Sequence, residues 1–106
     1  MGDQVDQEFR MSRLTIVANV HAKSGQVDLV KAELKKLIPL TRAEKGCINF
    51  DLHQDNNDPA HFFLYENWES REIWEVHKGA AHLQEYMDAT AGKIDEYNFT
   101  DMTQIE

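Results

Sequence analysis

From Leu14 to Ala22 the chain reads LTIVANVHA, with Leu14, Ile16, Ala18 and Val20 on one face and Thr15, Val17, Asn19 and His21 on the other. A period of two with β-branched residues predicts a strand. Lys23-Ser24-Gly25 makes a turn. Val27, Val30, Leu34, Leu37 and Thr41 then recur at the helical period, predicting a helix of about four turns. Pro39 lies inside that pattern and is expected to kink the helix or loosen its last turn, since proline has no N–H and clashes with the turn before it. Gly46 ends the element, with Arg42 and Lys45 near its negative end.

Alternation resumes over Cys47 to Gln54, placing Ile48, Phe50 and Leu52 on one face and Cys47, Asn49, Asp51 and His53 on the other. Asp55-Asn56-Asn57-Asp58-Pro59 is dense in turn formers and leads into a third strand, His61 to Trp68. Ser70 is placed to cap a short helix, Arg71 to His77, which Gly79 breaks. Ala80 to Ala91 reads as a further helix with Leu83, Tyr86, Met87 and Thr90 on one face. A last extended segment, Glu96 to Ile105, carries Tyr97 and Phe99.

The order is therefore β-α-β-β-α-β with the second helix broken in two, an α+β chain with a ferredoxin-like antiparallel sheet. Helices cover one face of such a sheet. Apolar residues of both parities in Leu14–Ala22 and Phe62–Trp68 imply that the second face is covered as well, and an identical sheet would give a two-fold homodimer.

At 106 residues the chain is one domain, residues 12–106, preceded by a polar, aperiodic stretch at 1–11 that reads as a flexible arm. A net charge of −8 argues against nucleic acid or an anionic membrane surface as partner. With one cysteine, Cys47, no intramolecular disulfide can form, and no apolar run approaches a membrane span. A cytoplasmic location is the expectation. The five glycines are scattered singly, and no CxxC, HExxH or GxSxG occurs, so no flavin, nicotinamide or metal site is visible and no cofactor is expected.

Several polar side chains have two readings. His77, at a helix C-terminus followed by a break, either caps that helix or serves as an acid/base group. His82 is five residues on, which is not the spacing that puts two ligands on one helical face, so with Glu66 it would hold a metal only by tertiary coincidence. His82 is expected to line a cavity or bond a carbonyl. Trp68 either fills core volume or offers its indole N–H to a developing oxyanion. Asn19 needs hydrogen-bond partners if buried among β-branched neighbours. Glu66 is positioned to orient His77 or to pair with Arg71. Phe50, Tyr65 and Tyr86 supply aromatic surface suited to a core or to a flat substrate. Cys47 reads as a small hydrophobe, and His21, His53 and His61 as solvent-facing.

Glu44-Lys45-Gly46-Cys47, Glu66-Asn67-Trp68-Glu69-Ser70 and His77 with His82 together resemble the E-x-G-C, E-x-W-x-[SD] and H-x-x-x-x-H pattern of the antibiotic biosynthesis monooxygenase family. The resemblance spans about Leu14 to Ile105. It implies a dimeric α+β barrel with one pocket per subunit, and cofactor-independent oxidation of a quinol, anthrone or similar small aromatic with O2. His77 would then be the base, Asn19 and Trp68 donors, and Phe50, Tyr65, Glu66, His82 and Tyr86 the substrate-binding wall. Asn19 is carried over from the branch of the family that degrades haem. Three alternatives stand beside this: an isomerase of phosphorylated autoinducer-2, similar through Phe50–Asp55; haem degradation with His77 or His82 on iron; and a non-catalytic ligand-binding dimer.

Overall fold

A computed structural model describes residues 13–106; the expected arm at 1–11 lies outside the described residues. The chain runs β1 (Leu14–Ala22), α1 (Val27–Arg42), β2 (Cys47–Gln54), β3 (His61–Trp68), α2 (Arg71–Lys78), α3 (Ala81–Ala89) and β4 (Ile94–Met102). The strands form one antiparallel sheet in the order β2-β3-β1-β4, as a ferredoxin-like α+β chain requires.

Parity along β1 decides what is buried. Leu14, Ile16, Ala18, Val20 and Ala22 face the helices and are sealed from solvent, while Thr15, Val17, Asn19 and His21 lie half-buried on the far face. Opposite them on β3, Phe62, Leu64, Glu66 and Trp68 point inward, and His61, Phe63, Tyr65 and Asn67 outward. Val30, Leu34, Leu37 and Thr41 close the core from α1. Full burial of side chains such as Phe50, Phe62 and Trp68 contributes about 1.5–3 kcal/mol each for a large apolar group.

Three expectations are corrected. The first helix runs through Pro39 to Arg42, and the Pro39 carbonyl still accepts a bond from the Ala43 N–H at 3.2 Å. So close to the C-terminus a proline forfeits one bond without ending the helix. In β2 the register shifts between Cys47 and Asn49, so Cys47 opposes Trp68 and Ile48 is thrown out to solvent rather than into the core. The last strand begins at Ile94 and ends at Met102, leaving Ile105 exposed beyond it.

The segment between α1 and β2 is shaped by Gly46, whose φ of +84° lies in the left-handed region. A Cβ there would also strike the Ile73 side chain. The Gly46 carbonyl accepts the Glu69 N–H at 2.9 Å, tying this turn to the end of β3. Ser70 caps α2 as expected, its hydroxyl accepting the Ile73 N–H at 3.2 Å. No helix among the described residues is long and apolar enough to cross a membrane.

Candidate active site

A cavity of about 540 Å³ opens between the inner face of the sheet and the helices. Ala18 and Leu64 line it from the sheet, Leu37 from α1, Trp74 and His77 from α2, and Tyr86 from α3. That volume falls within the ~300–1,000 Å³ of small-molecule sites. The walls are largely apolar, and the polar groups reaching them are few: His77, Glu66, Tyr86, Lys78, Thr90 and Tyr97.

His77 is 4 % exposed and does more than cap its helix. Its Nδ1 is 2.7 Å from Glu44 Oε2. A carboxylate at that nitrogen holds the tautomer with hydrogen on Nδ1, which leaves Nε2 as the nitrogen able to accept a proton. The ring packs against Trp68 at 4.7 Å and Phe50 at 5.9 Å between centroids, so its plane is fixed from behind. Glu44 itself sits in the turn closed by Gly46: its N–H bonds the Thr41 carbonyl at 3.0 Å, and its carbonyl accepts the Cys47 N–H at 3.2 Å.

Glu66 is a second acid at the site and, unlike Glu44, is buried. It is 5 % exposed, lines the cavity, and accepts the Trp68 indole N–H at 3.0 Å. Burial raises its pKa from 4.5 to about 7; the Trp68 bond pulls the other way and the charge of Glu44 adds to the rise. A carboxyl that titrates near neutrality inside a cavity can be donor or acceptor as the ligand demands. Glu66 neither orients His77 nor pairs with Arg71, both expected of it: Glu44 holds the histidine, and Arg71 reaches Asp101 at 3.2 Å.

Tyr86 also lines the cavity, but its hydroxyl oxygen is sealed off from water-sized space and has no hydrogen-bond partner among the described residues. The nearby Thr90 hydroxyl donates instead to the Tyr86 carbonyl at 2.8 Å. Burial pushes the Tyr86 pKa up to about 12, so the phenol stays protonated.

The remaining candidates lie elsewhere. Asn19 and Tyr65 have the opposite strand parity and project from the far face of the sheet. There Asn19 donates to Asn98 Oδ1 at 3.1 Å and faces His61 Nε2 at 2.7 Å. His61 and His21 are held by aspartates rather than free in solvent, His61 by Asp55 at 2.9 Å and His21 by Asp58 at 2.8 Å and Asp95 at 3.1 Å. The Trp68 N–H is committed to Glu66, and Trp68 and Phe50 stand behind His77 rather than on the wall. His82 lies over a separate small groove with Glu33 and Glu85, its Nε2 2.8 Å from the same Glu44 oxygen that His77 uses. Cys47 is half-buried with its thiol raised to about 11, chiefly by burial, and so is not a nucleophile at neutral pH. Sequence reasoning missed Glu44 as the partner of His77 although it opens the E-x-G-C motif. The signal was there, because a carboxylate next to a glycine-closed turn is presented in a fixed place.

The profile of the family described as antibiotic biosynthesis monooxygenase matches residues 13–89. A Mycobacterium tuberculosis protein, Rv0793, whose name assigns it provisionally as a monooxygenase, is 29 % identical over 75 residues, spanning 71 % of this chain and 73 % of that protein. The crystal structure of PA3566 from Pseudomonas aeruginosa superposes with a TM-score of 0.86 at 26 % identity, over 90 % of this chain and 96 % of that one. The structure of Rv0793 gives a TM-score of 0.84 at 23 % identity, over 90 % and 97 %, a likeness of fold.

Proposed function

The chain belongs to the antibiotic biosynthesis monooxygenase family, and from that premise we propose that it oxidises a small electron-rich aromatic, a quinol or anthrone, with O2 and without a bound cofactor. One observation carries the reading: an imidazole oriented by a partly buried carboxylate stands in the wall of a largely apolar cavity of suitable size. Triplet oxygen reacts poorly with closed-shell molecules, so the task of the protein is to make the substrate an anion in a dry site.

His77 Nε2 takes the acidic proton of the substrate. The anion passes one electron to O2, and the radical pair recombines to form a carbon–oxygen bond as a peroxide. For an anthrone, loss of the second hydrogen on that carbon and cleavage of the O–O bond give the carbonyl. The outer oxygen leaves as water, taking up the proton held by His77. The substrate supplies all four electrons, one oxygen atom is inserted and the other is reduced. Glu66, at the cavity wall, donates to the developing oxyanion when protonated.

Lys78 is the one cation at the wall among the described residues, whereas Lys31, Lys35 and Arg42 line a different groove between α1 and β2. A phosphorylated substrate would lack partners in the cavity, which weighs against the isomerase reading. The active unit of this reading is a homodimer. Tyr97 and Phe99 reach the cavity from β4 yet stay 59 % and 44 % exposed, and a second copy would cover them.

The test is oxygen uptake with a panel of quinols and anthrones in the presence of chelator. Wild type should consume O2 with at least one of them, and His77→Ala should lower turnover about 10²–10⁴-fold, the usual contribution of a general base. Equal turnover by the variant would remove His77 from the mechanism.

A further inference from the structure

We propose that Glu44, His77 and His82 form a binding site for one divalent transition-metal ion of the zinc class, and that its occupation converts His77 from an acceptor to a donor. The oxygen of Glu44 and one nitrogen from each histidine all lie within 4.8 Å of one another. Imidazole nitrogens with a carboxylate oxygen are the donor set that zinc takes, at about 2.0–2.2 Å. Donors bound in that way sit about 3.4 Å apart in a tetrahedral site. The present contacts of 2.7 and 2.8 Å to Glu44 Oε2 need open only slightly once the two bridging protons leave.

Continuous helix could not build this cluster, because five residues of α-helix turn about 140° away from a shared face. The chain instead breaks at Gly79–Ala80, with the Ala80 N–H on the His77 carbonyl at 3.0 Å and α3 starting afresh at Ala81. His77 ends one helix and His82 begins the next, and both meet the turn that carries Glu44. Phe50 and Trp68 pack the His77 ring on its far side. The groove beside His82, of about 50 Å³, has room for a water ligand, whose share of liquid volume is about 30 Å³. Glu85 and Glu33 line that groove together with Lys36, which Glu33 holds at 2.7 Å, so the Glu85 carboxylate is the one left to favour an added cation.

The consequence for His77 rests on its reading as the base. A metal on Nδ1 takes the lone pair there, and the neutral ring then carries its hydrogen on Nε2. An imidazole in that state donates and cannot abstract a proton. Zinc would therefore hold the enzyme off, and its removal would restore the base.

Chelator-stripped protein is titrated with Zn²⁺ by calorimetry and with Co²⁺ by visible absorption. We expect one ion per chain, with His82→Gln and Glu44→Gln each weakening it more than about 100-fold, beyond the ~10–100-fold lost when even an outer-shell partner changes. His53→Gln, at an exposed histidine remote from the cluster, should leave it unchanged. Circular dichroism checks that each variant is folded, and ¹⁵N shifts of His77 should report the switched tautomer independently of any variant. No binding, or equal binding by His82→Gln, overturns the site. Zinc should also stop the oxygen uptake of wild type and not that of His82→Gln. Metal binding without any oxygen uptake in chelator would leave the site standing and sink the oxygenase reading alone.

Discussion

Glu44 faces two imidazoles through one oxygen, and which of them matters to catalysis follows from what each faces. His77 borders the cavity, His82 a shallow groove. In the mechanism proposed here Glu44 is a positioning residue, acting through the tautomer of His77. Glu44→Gln should lower kcat about 100-fold with KM little changed, since substrate contacts are untouched while the base loses its orientation; steady-state oxygen uptake reads both constants. Glu66 makes a different prediction. Its folded pKa of about 7 lies above its ordinary 4.5, so the folded chain holds the proton more tightly than the unfolded chain. Its contribution to stability is therefore full below about pH 4.5 and falls as pH rises through 7. Glu66→Gln keeps an acceptor for the Trp68 N–H and removes the buried charge. Urea unfolding at pH 5 and pH 8 should show the variant gaining about 1–3 kcal/mol at the higher pH only.

The turn from α1 into β2 carries more of the site than its length suggests. Gly46 closes it with a positive φ, leaves room for Ile73, and through its carbonyl fastens the turn to Glu69. Gly46→Ala meets both a backbone penalty and a collision, together about 1–3 kcal/mol. Thermal denaturation should register a loss of about 4–8 °C per kcal/mol for a domain of this size. Any activity should fall further than stability does, because Glu44 moves with the turn. The bulge after Cys47 belongs to the same connection. It lets Phe50 return to the inner face, where its ring supports His77, at the cost of exposing Ile48.

At the scale of the whole molecule, the sheet packs one face against the helices, with Tyr97 and Phe99 of the edge strand β4 left exposed, and its other face is mixed. Thr15, Asn67, Asn49 and Asp51 form a hydrogen-bonded line across the outer face, beginning with Thr15 Oγ1 on Asn67 Oδ1 at 2.6 Å and Asn67 Nδ2 on Asn49 Oδ1 at 2.9 Å. Val17, Phe63 and Tyr65 stand among them. A polar but internally satisfied surface with apolar islands suits a second sheet more than it suits water. In the homodimer proposed here, Val17→Asp adds like charges to two chains that each already carry −8. Sedimentation should find dimer for wild type and monomer for the variant, with the strand content of both unchanged by circular dichroism.

Period alone was enough for the elements. Strict alternation in Leu14–Ala22, helical spacing from Val27 to Thr41, Ser70 as a cap and Gly46 and Gly79 as breaks are local properties, and they survive into the fold because each agrees with where the chain must bury its apolar face. Two of the three motifs meet in space, Glu44 of the first against His77 and His82 of the third, and His77 drew notice from its place at a helix end. What the site consists of was a tertiary matter. Glu44 and His77 are 33 residues apart and meet at 2.7 Å only because the turn after α1 and the end of α2 pack on the same side of the sheet. Asn19 and Tyr65 look like wall residues in sequence, yet the pleat sends them to the far face, where a shift of one residue in register would have reversed the outcome. The ionisation of Glu66 likewise has no local signature, since a carboxyl acquires a pKa near 7 from the atoms that exclude water around it, and those come from every element of the core.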